Sequence, residues 1–386
     1  MTSRIYLDNA ATTPVRPEVL EAMLPHFHDN GYNPSSLHAE GRAARAALED
    51  ARRRVAACLG CARKEIVFTA GGSESDNLAL LGTARSLAHR GRHIVTTAIE
   101  HHAVLHAAQA LREDGFDVTF LPVDESGMLD PQQFAAAIRS DTIVASVMYA
   151  NNEIGTIAPI ARLCEIAHEA GALFHTDAVA AATYLPLDVD ALGVDMLSIA
   201  AHKFYGPKGV GALYVRQGTP LGPIIHGGSQ EFAKRAGTEN VPGIVGMALA
   251  LELAMGERTQ AAGRIGSLRD DFEEHLVQRI SGVRVNGAGA PRAPHISSVS
   301  LLGIESEALL MRLDLDGVAA SAGSACASGV IEPSHVIAAL GLSREWTQGV
   351  IRLSLGRSTT PSQVSAALQV LEQAAADLRS FSPVPA

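Results

Sequence analysis

Two lysines, Lys203 and Lys208, lie in a short loop punctuated by glycine and proline, between the apolar runs 196–201 and 211–215. Apolar runs of this length read as buried strands. A lysine held at the end of such a strand, here beside His202, is desolvated, and desolvation lowers its pKa until the amine acts as a nucleophile. Most loop lysines are merely solvated, so Lys203 gains meaning only from what else shares its rim. Asp177 closes the run 172–177. A carboxylate among apolar residues needs a cation or a strong donor; a protonated pyridinium nitrogen would serve, as would capping of the next turn. Gly71, Gly72 and Ser73 follow one strand-like run and open a helical one, which makes either a phosphate cup or a tight turn. Glu100, His101 and His102 follow another run, and the flat imidazole of His101 suits stacking on a planar ring. His102 and His106 have the i, i+4 spacing of a metal pair, but no third ligand has matching spacing and no metal is expected. Asn151 and Asn152 end a further run.

Taken together, these strand ends bring a phosphate cup, a buried carboxylate, an imidazole, an amide and a lysine to one rim. Phosphate, pyridinium and Schiff-base lysine describe pyridoxal 5′-phosphate. The elements that must position them alternate along the chain. Strands are expected at 65–69, 93–97, 117–121, 142–148, 173–176, 196–200 and 211–215, with helices in most intervals. That order predicts an α/β fold: a mostly parallel, doubly wound sheet between helices, with ligands beyond the carboxyl ends of its strands. Helices are also expected at 17–28 and up to residue 59, the second capped by Ser35 or Ser36. After about residue 255 a charged helix (258–280), short strands and a Ser/Gly/Ala-rich loop suggest a smaller α+β domain. The expected organisation is an N-terminal arm (1–14), a large domain (15–255) and a small C-terminal domain (256–386).

Bulk properties narrow the classes further. A net charge of −10 without any basic block argues against direct binding to nucleic acid or an anionic membrane. No signal-like or membrane-spanning apolar run occurs, so a cytoplasmic protein is expected. Four cysteines are too few for a disulfide framework. Cys58 and Cys61 read as semi-buried thiols at a helix end, and Cys164 reads as core. Cys326, among small residues in Ser324-Ala325-Cys326-Ala327-Ser328-Gly329, reads as an exposed thiol on a mobile loop.

LDNAATTP (7–14), YNPSSLH (32–38), GGSESDN (71–77), EHHAVL (100–105), NNEIGT (151–156), HTDA (175–178), AHKFYGPKGVGALYVR (201–216), RAGTENVPGIVG (235–246), SAGSACASGVIEPSHV (321–336) and IRLSLGR (351–357) run in one order along the chain. In these motifs it resembles the NifS/IscS-type cysteine desulfurases, fold-type I pyridoxal-phosphate enzymes, over essentially its whole length. The resemblance implies a seven-stranded large domain and pyridoxal phosphate on Lys203. Asp177 would face the pyridinium, and His101 would stack and move protons. Gly72, Ser73 and His202 would contact phosphate, and Asn152 the ring. Thr238 would reach phosphate from the neighbouring subunit of a homodimer, while Asn33 and Arg352 would clamp the substrate carboxylate. Cys326 would take sulfur from L-cysteine as a persulfide and pass it to a sulfur acceptor or iron–sulfur scaffold protein, where it would also be a candidate ligand of a transferred cluster. The Cys326 context resembles the long-loop group. Four positions depart from the family pattern: Ala180 for a glutamine at the cofactor's phenolic oxygen, Ala200 for a serine at its phosphate, Ser229 for a glycine and Phe232 for an arginine. These departures leave open a desulfurase with a retuned pocket, a selenocysteine lyase, or a variant acting as a sulfur-transfer scaffold.

Overall fold

The computed structural model describes residues 4–322 and 334–380. Numbered in chain order, its strands are β1 (Ile5–Tyr6), β2 (Ile66–Thr69), β3 (His93–Thr97), β4 (Asp117–Leu121), β5 (Thr142–Ser146), β6 (Leu173–Asp177), β7 (Met196–Ala200), β8 (Gly211–Val215), β9 (Val283–Val285), β10 (Ile296–Leu301), β11 (Val318–Ala319) and β12 (Val350–Ser354). Seven of them form one sheet in the order β2-β8-β7-β6-β5-β3-β4. The block from β7 to β4 is parallel, whereas β8 runs antiparallel to both β7 and β2. Two reversals restore the direction, so β2 points the same way as β7. The carboxyl ends of β2, β3, β5, β6 and β7 therefore open on one rim, where the functional motifs follow. Strands covered on both faces need apolar side chains throughout. MLSIA of β7 and GALYV of β8 are buried at every position, whereas the edge strand β4 is partly exposed.

Most of the expected strands and helices form, with local differences. The first helix is Pro17–Met23 and tightens into a 3-10 turn at Leu24–His26, where Pro25 removes a backbone donor. The helix Ala39–Leu59 is capped by His38, whose Nδ1 accepts from the Gly41 N–H at 3.2 Å, rather than by Ser35 or Ser36. Imidazole is an unusual cap, so the serines are the natural expectation.

The change of character near residue 255 falls inside a helix. One helix runs 39 residues, Val241–Arg279. Its first half buries Met247, Ala250 and Leu251 in the core beneath the large sheet. Its second half buries Ile265, Phe272 and Leu276 in another core, which lies against the antiparallel sheet β12-β10-β9. The N-terminal segment joins that second core through Leu7 and pairs β1 with β11. No helix among the described residues is long and apolar enough to cross a membrane.

Candidate active site

Gly72, Ser73, His101, Asn152, Asp177, His202, Lys203 and Arg352 all line one cavity of about 340 Å³ at the rim of the large sheet. That is the size of a small-molecule site. Lys203 sits at the end of a 3-10 turn directly after β7. Its Nζ donates to the main-chain carbonyls of Ala10 at 2.5 Å and Ala11 at 3.0 Å. Burial, and secondarily Arg352, pushes the ammonium down to about 8. Lys208 is exposed. The choice between the two lysines is therefore made by burial.

Asp177 is buried at the end of β6 and accepts the Val179 N–H at 2.8 Å. Burial raises its pKa, while His101 and Lys203 pull the other way. His101 caps the helix His102–Glu113, its Nδ1 accepting from Ala103 N–H at 3.1 Å. Desolvation first, then the nearby Lys203, lowers its pKa against the pull of Asp177. His202 is held neutral at ordinary pH, because burial takes it down to about 4, and its Nδ1 lies 3.2 Å from Thr12 Oγ1.

Gly72 shows why this turn excludes side chains. A Cβ there would stand 2.7 Å from Val179 Cγ2, inside any real contact distance. Gly71 next to it has φ +156°, at the margin of what other residues adopt. Glu74 in the same motif is gripped by Arg235 at 2.8 Å, which ties the GGSESDN turn to the RAGTEN segment.

Arg352 reaches the cavity from β12, across from the large sheet. It is buried, pairs with Asp8 at 3.0 Å and donates to the Asn152 carbonyl at 2.8 Å, while its Nε has no partner among the described residues. A guanidinium so fixed is suited to a carboxylate. Ala180 and Ala200, two of the departures, both line the cavity, so they thin its polar lining directly. Phe232 lies elsewhere, its ring 5.0 Å from the Arg52 guanidinium.

The cavity does not gather every predicted residue. Asn33 is exposed and accepts the Ser35 N–H at 2.8 Å. Thr238 lines a separate cavity of about 90 Å³ beside Glu231, Arg235 and Glu239. Cys326 lies outside the described residues. Sequence reasoning missed Asp76, a buried carboxyl lining the main cavity, and gave no role to Glu100, a buried carboxyl that accepts the N–H of the cavity-lining Met148 at 3.0 Å. The signal for Asp76 was its place four residues after Gly72, one helical turn into the helix from the phosphate cup.

A pyridoxal-phosphate-sized ligand fits these residues: a turn closed to Cβ atoms, a lysine whose Nζ donates to two main-chain carbonyls, and a buried carboxylate facing the same space. The remaining cysteines do not compete for chemistry. Cys58 and Cys61 are half-buried with thiols pushed up to about 11 and 12, and Cys164 is buried.

Known proteins align with the whole arrangement. The aminotransferase class-V family model matches residues 5–367. A cysteine desulfurase IscS from Dictyoglomus turgidum is 50% identical over 383 residues, covering 99% of this chain and 97% of that protein. One from Methanosarcina thermophila is 48% identical, covering 98% and 94%. Among solved structures, a NifS-like protein superposes with a TM-score of 0.90 at 38% identity, covering 96% of this chain and 98% of the other. SspA in complex with cysteine superposes with a TM-score of 0.80 at 37% identity, covering 91% and 98%.

Proposed function

The chain belongs to the cysteine desulfurases, pyridoxal-phosphate enzymes of the aminotransferase class-V family, and from that premise we propose that it converts L-cysteine to L-alanine while loading the sulfur on Cys326. The observation that carries this reading is the convergence of Lys203, Asp177, His101 and Arg352 on one cavity. The net reaction balances. The Cys326 thiol and L-cysteine give a Cys326 persulfide and L-alanine: the substrate C–S bond breaks, an S–S bond forms, and the β-carbon gains a proton.

Gly72, Ser73 and His202 would hold the cofactor phosphate, Asp177 its ring nitrogen, Asn152 its ring, and Lys203 its aldehyde carbon. When bound, the cofactor supplies an electron sink for bond changes at the substrate's α- and β-carbons. Lys203 serves because its lowered pKa leaves amine available near neutral pH. Arg352 orients the substrate carboxylate; Asn33, which lies outside the cavity of the single chain, would be the second member of that clamp. His101 accepts and returns protons above the ring; its lowered pKa keeps it a neutral acceptor. Thr238 acts across a homodimer. Exposed apolar side chains concentrated at Leu20, Leu24, Phe27, Tyr32 and Leu37 support a face covered by a second chain. We assign residues 1–14 to an arm, 15–255 to a large domain and 256–386 to a small one. A cytoplasmic location and transfer of the persulfide to an acceptor or iron–sulfur scaffold protein complete the reading.

Purified protein should show a cofactor absorbance band lost on borohydride reduction, and should release alanine from L-cysteine. Cys326→Ala should keep the band and lose persulfide. Bound cofactor without alanine release refutes the reading, and faster turnover of selenocysteine than of cysteine replaces it with a lyase.

A further inference from the structure

Behind the cavity lies a carboxyl that none of the assigned roles uses. Asp76 is 1% exposed, lines the cavity, and among the described residues leaves Oδ1 without a hydrogen-bond partner. One oxygen of Asp76, one oxygen of Asp177 and one nitrogen of His101 lie within 4.8 Å of each other. Two buried carboxylates so close do not both ionise, because each raises the cost of charging the other.

The surroundings decide which one keeps the proton. Asp177 accepts a backbone N–H from Val179 and faces the Lys203 ammonium, both of which favour its anion. Asp76 has only the Ser198 hydroxyl to favour an anion, while burial, Asp177 and Glu100 all oppose it. His175, 3.6 Å from Asp76 Oδ1, does not supply a charge. It is fully buried, its Nδ1 faces Ser146 Oγ at 2.8 Å and its Nε2 faces Ser198 Oγ at 3.0 Å. Burial takes that imidazole down to about 3, so it is neutral. Arg352 is engaged with Asp8.

We propose that Asp76 is a protonated positioning carboxyl of the cofactor cavity, held neutral at working pH so that Asp177 remains the single anion facing the cofactor's ring nitrogen. The Ser146–His175–Ser198 chain fixes its orientation from behind. This deepens the pyridoxal-phosphate reading and rests on it for the role of Asp177, but the protonation itself is measurable without turnover.

Infrared spectroscopy of the holoenzyme labelled with carbon-13 at the aspartate carboxyl separates aspartic acids from the neighbouring Glu100. The labelled band of a protonated aspartic acid should be present near neutral pH, absent in Asp76→Asn and retained in Asp177→Asn. The pH midpoint of the cofactor's absorbance should move by less than about 0.3 unit in Asp76→Asn, because no charge is removed; loss of an ionised neighbour would move it by about one unit or more. Absence of the band in the wild type, its loss in Asp177→Asn but not in Asp76→Asn, or a one-unit midpoint shift overturns the proposal. If Asp76→Asn does not fold, the labelled wild type and Asp177→Asn decide alone. Failure of alanine release would leave the band untouched, so the two readings fail separately.

Discussion

Among the described residues Lys203 has no carboxylate within hydrogen-bonding distance; its Nζ hydrogen bonds go to two carbonyls of the N-terminal segment. Its amine fraction in the apoprotein therefore grows through pH 8. Trapping of pyridoxal phosphate on Lys203, followed by borohydride and peptide mass, should rise between about pH 7 and 9 and then level off, whereas an ordinary lysine keeps rising past about 10. Because the folded pKa lies below the unfolded one, this lysine penalises folding fully below about pH 8. The penalty is relieved as pH rises toward the unfolded value. Glu100 has the opposite sign. It is buried, with its carboxyl pushed up to about 8, so its contribution to stability falls as pH rises from the unfolded range to that value. Glu100→Gln should flatten the pH dependence of Tm across that window. Restoring a hydroxyl by Ala200→Ser adds a donor at a cavity-lining position. A hydrogen bond to a charged group contributes about 1.5–3 kcal/mol, so cofactor affinity should rise by about tenfold or more. The chemistry of Lys203, Asp177 and His101 was legible because each ends or closely follows an apolar strand run, whereas Arg352, inside β12, was legible only through the family resemblance. Asp76 was not, since an aspartate inside a polar helix start looks solvated until packing buries it.

At the scale of elements, the strands were legible from their apolar runs, but the 39-residue helix Val241–Arg279 was not. Its buried face changes partner midway, from the core beneath the large sheet to the core against β12-β10-β9, so the sequence changes character inside one continuous helix. The segment Glu231–Ala233 was equally opaque. Three consecutive non-glycine residues there have φ of +45°, +58° and +61°. Such conformations persist only when surroundings over-determine them. Here Arg52 supplies the restraint: it donates twice to Glu231 at 2.7 Å, with both side chains 1% exposed, and lies between the rings of Phe68 and Phe232. Phe232, a departure from the family pattern, thus closes a lid on a buried ion pair. Removing one partner of a buried pair costs about 3–5 kcal/mol. Glu231→Ala should lower stability by that amount in denaturant unfolding, while Phe232→Ala should cost less because the pair survives.

For the whole molecule, one chain supplies most of the cavity but leaves Thr238 beside a different, smaller one. Thr238 is exposed there, away from the main cavity, so the proposed phosphate contact requires a second subunit. Ionic and apolar features agree in direction: Arg235 ties the RAGTEN segment to Glu74 at the mouth of the phosphate turn, and exposed apolar residues gather at 20–37. Mixed dimers distinguish action across the interface from action within a chain. In a dimer of one Thr238→Ala chain and one Lys203→Ala chain, the first chain keeps its own lysine and receives an intact threonine from the second. Borohydride-trapped cofactor should then reach half a label per chain at the affinity of the wild type. If Thr238 acted within its own chain, the only site able to form the bond would lack it, and the trapped fraction would show the weakened affinity of the Thr238→Ala homodimer. Dilution adds an independent check, because dissociation into monomers should weaken cofactor binding by mass action.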